Sequence, residues 1–311
     1  MPIKWFRKII FKIQSTNNNV TRGIGGEGGE GGGESILMIL NTDDNNWDAE
    51  TYHKVSDIQE SWAIELLEKR KMDENEIVMD AGCGTGRVTK IIANKVKRGK
   101  VYAVDVDENM IINAKKNLKD LPNIVFVKSD LADVILPEKI DLVFSNAVIH
   151  WILDHKKLFT NFWNLLKPGG KLLIQCGGKG NLDTIPNTLE KVRKSKRFNQ
   201  YFENWKIPWN FASSEDTIKI LNEIGFKDIQ ANLEEKKAKF RNLQEYILFM
   251  KTVVMKPYLS YLPTTDNNNK IKNLFIDEFL NELYNNNKNT NRKQNIDLEL
   301  NYVRLNITAR K

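Results

Sequence analysis

The sequence predicts an α/β fold, a doubly wound and mostly parallel sheet of seven strands with an inserted helical cap. Three observations point there. Between residues 76 and 175, short runs rich in Val, Ile and Leu alternate with segments of helical period, the rhythm of βαβ units whose strands are buried on both faces. A glycine-rich turn joins the first run to the first helix. After residue 177 the rhythm breaks into irregular, aromatic sequence before strand-like patterns return, as an insertion would make it do.

Each element follows from its residues. A helix is predicted over 55–71, a buried strand over 76–80 and a helix over 87–97. The second strand is 100–105, followed by a helix over 108–118. Residues 124–128 and 140–145 are the third and fourth strands. A helix over 156–166 is expected to stop at Lys167-Pro168-Gly169-Gly170, because Pro cannot continue a helix and Gly accepts left-handed geometry. The fifth strand is 171–175. Residues 178–212 read as irregular, with Tyr201, Phe202, Trp205, Trp209 and Phe211 among them. Ser213 opens a helix to Ile224 with Gly225 as its C-cap. A strand falls within 226–240, helices over about 242–256 and 270–284, and a final alternating strand over about 297–310. The Asn-rich stretches 266–269 and 285–291 read as loops.

Composition narrows the function classes. The 311 residues are 41% hydrophobic and 28% charged, ordinary usage that excludes global disorder. No run approaches the roughly 18–20 apolar residues of a membrane-spanning helix. The net charge of +7 suggests nucleic acid, an acidic membrane or an anionic substrate, and its distribution separates these. Residues 1–34 carry net +2 and residues 285–311 net +4, leaving +1 for the 250 residues between them. No nucleic-acid partner is therefore expected, and the run Lys191, Arg193, Lys194, Lys196, Arg197 is read as a solvated helix face. Two cysteines (Cys83, Cys176) and three histidines (His53, His150, His155) are too few for a disulfide scaffold or a metal cluster. No metal is expected, and a reducing, cytoplasmic location fits. The alternative is organelle targeting or membrane-surface association through residues 1–13, which mix Lys and Arg with large apolar residues. Residues 21–34 hold eight of the 18 glycines and read as a linker. Residues 1–34 are thus a flexible leader to a domain over 35–311. Its cofactor half is about 47–177 and its acceptor and cap elements are about 178–212 and 242–290.

The motif that carries chemistry is Asp80-Ala81-Gly82-Cys83-Gly84-Thr85-Gly86, at the junction of the first strand and first helix. Glycines there let backbone approach a ligand, and a helix start favours negative charge. Arg87 stands where a dinucleotide fingerprint wants Gly or Ala, and no Gly-Lys-Ser/Thr follows, so neither a dinucleotide nor a nucleoside triphosphate is indicated. Asp105 ends the second strand, where a carboxylate can accept hydrogen bonds from ribose hydroxyls. Asp130 follows the third strand, on the same sheet edge.

From about residue 47 to 310 the chain resembles the class I S-adenosylmethionine-dependent methyltransferases, a Rossmann-like family. The resemblance lies in the 80–86 motif, in Val104-Asp105 with Glu108-Asn109-Met110, and in Leu165-Leu166-Lys167-Pro168-Gly169-Gly170. Asp107 departs from the family's usual small polar residue there. The resemblance implies S-adenosylmethionine as cofactor. It would be held by Asp80, Gly82, Cys83, Gly84, Thr85, Gly86, Asp105, Val106, Met110, Asp130, Leu131, Ser145 and Asn146. Asp130 would reach the adenine amine, Leu131 would pack on the ring, and Cys83 would be small and cofactor-facing.

A narrower resemblance concerns the acceptor. Residues 144–151, with Ser145-Asn146-Ala147-Val148-Ile149-His150-Trp151, look like the fourth-strand segment of trans-aconitate 2-methyltransferases and related malonyl-carrier-protein and juvenile hormone acid enzymes. So do the segments 47–52 and 56–59. This implies a small, anionic acceptor methylated on a carboxylate oxygen, and a carboxylate is already ionised and needs no strong base. Tyr52, Gln59, His150 and Trp151 are the candidate acceptor contacts, and His150 is the first candidate catalytic base should the acceptor carry a proton. Methylation of a phenol, quinone, sterol or amine is the alternative. A non-catalytic, cofactor-binding regulatory protein is a further one. RNA or protein methylation has only the basic ends and the run Lys191–Arg197 in its favour. The aromatic stretches 201–211 and 242–261 are expected either to line an acceptor pocket or to pack with one another.

Overall fold

In the computed structural model, the described residues are 57–182, 184–264, 270–289 and 298–311. The leader 1–34, residues 47–52 with Tyr52, and the loop 266–269 fall outside them. The elements are α1 (Asp57–Glu68), β1 (Ile77–Ala81), α2 (Arg87–Lys95), β2 (Lys100–Asp105), α3 (Glu108–Asn117), β3 (Ile124–Lys128) and β4 (Ile140–Asn146). They continue with α4 (His155–Leu165), β5 (Leu166–Gly177), α5 (Ile185–Arg193), α6 (Ser214–Ile224), β6 (Lys227–Lys239), α7 (Leu243–Phe249), α8 (Lys256–Leu259), α9 (Lys270–Asn289) and β7 (Glu299–Arg310).

One seven-stranded sheet runs in the order β3-β2-β1-β4-β5-β7-β6. The pairs among β1 to β5 are parallel, and β7 lies antiparallel between β5 and β6. Strand period sorts the core into two layers. Met79, Val104, Val143 and Ile174 face α4 and α6, whose Phe159, Phe162 and Leu221 join the same cluster. Val78, Val101, Leu142 and Leu173 face the other way, toward Ala63, Leu66 and Leu67 of α1 and Ile92 of α2. Both faces are covered, as the apolar strands require. The order reverses between β1 and β4, so the ends of β1, β2 and β4 surround the crevice where ligands bind in such sheets.

The caps follow local chemistry. Asp107 accepts from the backbone N–H of Asn109 and Met110 to start α3. Ser213 does the same for Asp216 in α6, and Gly225 ends that helix at φ 116°.

Four expectations change. Strand β5 runs unbroken from Leu166 through Pro168-Gly169-Gly170 to Gly177, with Leu166 beside Ile140 and a register shift where Pro and Gly sit. A tertiary edge pairing overrides the turn signal there. Residues 178–212 contain helix α5, whose Ile185, Leu189 and Val192 are buried. The stretch 242–256 is not one helix, because a π-turn over Met250–Val254 separates α7 from α8. Helix α9 continues to Asn289 through residues expected to be loop.

The cap is held by rings and by one carboxylate. Phe198, Phe202, Trp205, Tyr258 and Phe275 contact one another at centroid distances of 4.3–6.3 Å. Glu190 accepts from Trp205 Nε1 at 3.1 Å and Tyr258 Oη at 2.9 Å, and pairs with Arg193 at 2.9 Å. Glu190→Leu leaves the buried Tyr258 hydroxyl without its acceptor and is expected to cost about 1–3 kcal/mol, read as a lower urea midpoint. The basic run has partners: Lys191 pairs with Glu282 and Arg197 with Glu278, both on α9. Lys191, Lys194, Lys196 and Arg197 are nonetheless exposed, so the run is a solvated face carrying two surface ion pairs to α9. Among the described residues no helix is long and apolar enough to cross a membrane.

Candidate active site

The glycine loop is fixed by backbone geometry. Gly82, Gly84 and Gly86 have φ of 85°, 53° and 88°, left-handed values that disfavour side chains. A Cβ on Gly82 would lie 2.3 Å from Val148, and one on Gly86 2.5 Å from Leu118, whereas the space beside Gly84 is open. Val104 O accepts from Gly82 N at 2.8 Å and Cys83 N at 2.9 Å, and Cys83 O accepts from Gly86 N.

Asp105 ties the loop to the end of β2. Its Oδ2 accepts from Gly84 N at 2.9 Å and its Oδ1 from Asp107 N at 3.0 Å. The Val106 N–H also bonds this carboxylate, and of its roughly four acceptor sites at least one is left for a ligand. Its backbone O accepts from Ser129 N at 3.0 Å, which brings the Asp130 loop alongside. Asp130 is exposed and accepts from Ala132 N, and Val106 is 65% exposed beside it. Asp80 is buried under the loop, where Thr89 Oγ1 donates to it at 2.6 Å, and burial pushes its pKa up to about 7.

Several candidate side chains turn inward. Cys83 packs with Ala103 and Ile111, and burial pushes its thiol well above the ordinary range. Leu131 joins the sheet core, so its side chain is not an exposed surface for a ring. Ser145 is buried and donates to Ala81 O at 2.7 Å. Met110 and Thr85 are also buried.

Beyond β4 a second cavity opens, lined by Gln59 and Trp62 of α1, Asn146 of β4, and His150 and Trp151. Gln175, Cys176 and Gly177 of β5, Trp209, Phe211, Val253, Val254, and Tyr302 and Arg304 of β7 also line it. Helix α1 is held over it by Asn146 Nδ2 donating to Gln59 O at 3.0 Å and by an Arg87–Glu60 ion pair. Trp209 stacks on Phe211 and meets Trp151 edge-on. So two of the five aromatics in 201–211 line the pocket, while Tyr246, Phe249 and Tyr258 lie buried in the cap.

His150 is not placed as a base. Its Nδ1 accepts from Gly177 N at 3.3 Å, and burial drives its pKa down to about 3. The neutral tautomer set by that bond carries its proton on Nε2, which makes the ring a hydrogen-bond donor. His155, outside the cavity lining, makes its own bond to Ile149 O at 3.0 Å.

Residues 79–174 match a family described as a methyltransferase domain. Over 243 residues the chain is 31% identical to a protein of Invertebrate iridescent virus 6 named as a methyltransferase, 235L, spanning 76% of this chain and 85% of that one. The chain belongs to the class I S-adenosylmethionine-dependent methyltransferases. The enzyme is also 28% identical to malonyl-[acyl-carrier protein] O-methyltransferase 2 of Ilyobacter polytropus, over 68% of this chain and 78% of that one. To trans-aconitate 2-methyltransferase of Acidovorax ebreus it is 30% identical over 49% of this chain, a match spanning 57% of that relative. The solved YcgJ protein from Bacillus subtilis shares the fold at 13% identity and a TM-score of 0.56, covering 81% of this chain and 98% of that one.

The loop of this methyltransferase fits S-adenosylmethionine. Gly84, left-handed and beside open space, leaves room for a ligand near the α2 N-terminus, the Asp105 carboxylate has acceptor capacity suited to ribose hydroxyls, and Val106 and Asp130 are exposed at the same edge. Sequence patterning missed Trp62, Tyr302 and Arg304 as pocket residues. The signal available was an Arg in the middle of an alternating strand, which reads equally well as a solvent-facing charge.

Proposed function

We propose that this methyltransferase converts a small carboxylic acid to its methyl ester. The observation that carries the reading is the lining of the cavity: its described walls hold no Asp, Glu or Lys, and its one imidazole spends Nδ1 on Gly177. Burial pushes the Cys176 thiol in the same wall up to about 12. A phenol or an ammonium group must lose a proton to become a nucleophile, and these walls offer no group suited to take it. A carboxylate arrives ionised. The names of the malonyl and trans-aconitate relatives support the same class.

S-adenosylmethionine, when bound, supplies a methyl group made electrophilic by its sulfonium. The chain's part is to hold and to orient. Gly82, Gly84, Asp105, Val106 and Asp130 hold the cofactor, and Asp80 braces the loop through Thr89. The Gln59 amide, the Trp151 indole N–H and the His150 Nε2–H donate to the acceptor carboxylate without neutralising it. The stacked Trp209 and Phe211 wall, with Val253 and Val254, excludes water, so alignment supplies most of the rate.

The test is incubation of the full chain with methyl-labelled donor and a panel of acids, phenols and amines. Label transferred to an acid and released as methanol by mild alkali is expected, and a base-stable product overturns the reading. A second expectation concerns pH. With His150 down at about 3, it is already neutral at pH 5 and stays so as pH rises. The kcat for an acid acceptor should therefore change by less than about 3-fold from pH 6 to 8.5. A sigmoidal rise with a midpoint near the ordinary His value of ~6.5 would make His150 a base after all.

A further inference from the structure

Among the described residues that line the acceptor cavity one is a cation, Arg304, and two of its nitrogens have no hydrogen-bond partner. Arg304 sits on β7 opposite Gly177 of β5, the residue whose N–H bonds His150. It is 3% exposed, yet it lines the cavity. Its Nε and Nη1 are fully buried and make no hydrogen bond. The Trp62 ring, 4.5 Å from Cζ, covers one face of the guanidinium and holds its plane, but a ring face cannot accept the in-plane N–H groups. The carboxylates whose charge reaches it are committed elsewhere: Glu234 accepts from Asn306 at 3.0 Å and pairs with Lys236, and Glu65 also pairs with Lys236. Burial lowers the Arg304 pKa only to about 10, so the group stays cationic at neutral pH. A buried guanidinium with donors left over is costly unless something completes it.

We infer that Arg304 reads a second acidic group of the acceptor, one that is not methylated, so that the acceptor is a dicarboxylic acid and the product a monoester. This rests on the carboxylate reading above and deepens it. The division of labour follows from chemistry. A guanidinium on the reacting carboxylate would draw charge away from the nucleophile, and its pairing would be lost as the ester forms. Held on a remote carboxylate, the same interaction is equal in substrate, transition state and product. It contributes to binding and leaves the chemical step alone. Gln59, Trp151 and His150, which carry no full charge, are left to the reacting end.

The experiment uses the full chain saturated with S-adenosylhomocysteine, the demethylated cofactor, and needs no turnover. Thermal stabilisation is measured across linear C3–C6 dicarboxylates and chain-matched monocarboxylates, for wild type, Arg304→Met and Arg304→Lys. At least one dicarboxylate should stabilise wild type at concentrations where its monocarboxylate partner does not. Arg304→Met should weaken that binding by ~10–100-fold, the range of a charge-assisted hydrogen bond, while Arg304→Lys recovers part of it. S-adenosylhomocysteine affinity should be unchanged in both variants, which shows that they fold. With an acceptor that turns over, KM should rise in Arg304→Met while kcat stays within about 3-fold.

Absence of any dicarboxylate effect, or an effect that survives Arg304→Met, overturns the inference. So does a loss in Arg304→Met that is equal for mono- and dicarboxylates, which would make Arg304 a packing residue for Trp62. Because binding is read without transfer, a base-stable product would overturn the ester reading and leave the Arg304 result to stand or fall by itself.

Discussion

Gly82→Ala is expected to lower kcat/KM for the methyl donor by on the order of 100-fold and to destabilise the ligand-free protein by about 2–5 kcal/mol. Two costs add. Residue 82 sits at φ 85°, where an L side chain loses roughly 1–2 kcal/mol. The new methyl would also lie 2.3–2.8 Å from three Val148 carbons, closer than atoms pack, and overpacking typically costs ~1–3 kcal/mol. Relief requires the loop and the β4 end to separate, which pulls Gly82 and Cys83 away from Val104 O. A shift of ~1 Å in such a place costs on the order of 100-fold in rate. Gly84→Ala separates the causes. Its φ is 53° and no atom lies within 4 Å of the added carbon, so ligand-free stability should fall by only about 1 kcal/mol. Any larger loss in donor binding by that variant is contact with the ligand. Urea unfolding and calorimetry with S-adenosylhomocysteine measure the two quantities. A Gly82→Ala protein with wild-type midpoint and kcat/KM would refute the packing described here.

Asp80→Asn is expected to remove a pH dependence of stability worth up to about 4 kcal/mol. Burial raises the folded-state pKa of Asp80 from 3.8 to about 7, and each unit is worth about 1.4 kcal/mol. The sign follows from proton binding. Between pH 4 and 7 the folded protein holds this proton and the unfolded chain has released it, so stability falls as pH rises through that window and levels off above it. Asn is neutral throughout and still accepts from Thr89. The difference in stability between variant and wild type should therefore widen from pH 4 to pH 7 and then stay constant. Ligand-free urea titrations at pH 4.5, 6 and 8 read it directly, and a constant difference would place the ionised carboxylate in a solvated site.

The sheet was legible because its information is local. Val78, Val101, Leu142 and Ile174 announce buried strands by themselves, and each glycine of 82–86 marks a backbone value that few other residues adopt. Pro168-Gly169-Gly170 misled for the converse reason. Its local turn preference yields to pairing of Leu166 with Ile140, a partner 26 residues away that no local pattern records. Helix α5 carries Ile185, Leu189 and Val192 at the i, i+4, i+7 spacing of an amphipathic helix, a signal only nine residues long and bordered by irregular sequence. At the site, residue identity located the loop but not the direction of a side chain. Cys83, Leu131 and Ser145 were expected to contact the cofactor, and their side chains are buried in the protein. Arg304 was hidden because its role depends on β7 reaching β5 from 131 positions away, the separation at which Gln175 meets Asn306.

The position of β7 also bears on how the protein is made. Strands β5 and β6 share no hydrogen bonds with one another, since β7 lies between them and pairs with both. β7 follows both in chain order, so as the polypeptide emerges from the ribosome the five parallel strands and the glycine loop can assemble while β6 has no neighbour to join. Closing the sheet must wait for a contact of long sequence separation, the kind that slows folding. The half that carries the glycine loop can thus mature first, and the wall that carries Tyr302 and Arg304 arrives in the same late step that completes the sheet. A nascent chain stalled before residue 298 would leave the β5 edge unpaired and the cavity without Tyr302 and Arg304, a form exposed to edge pairing.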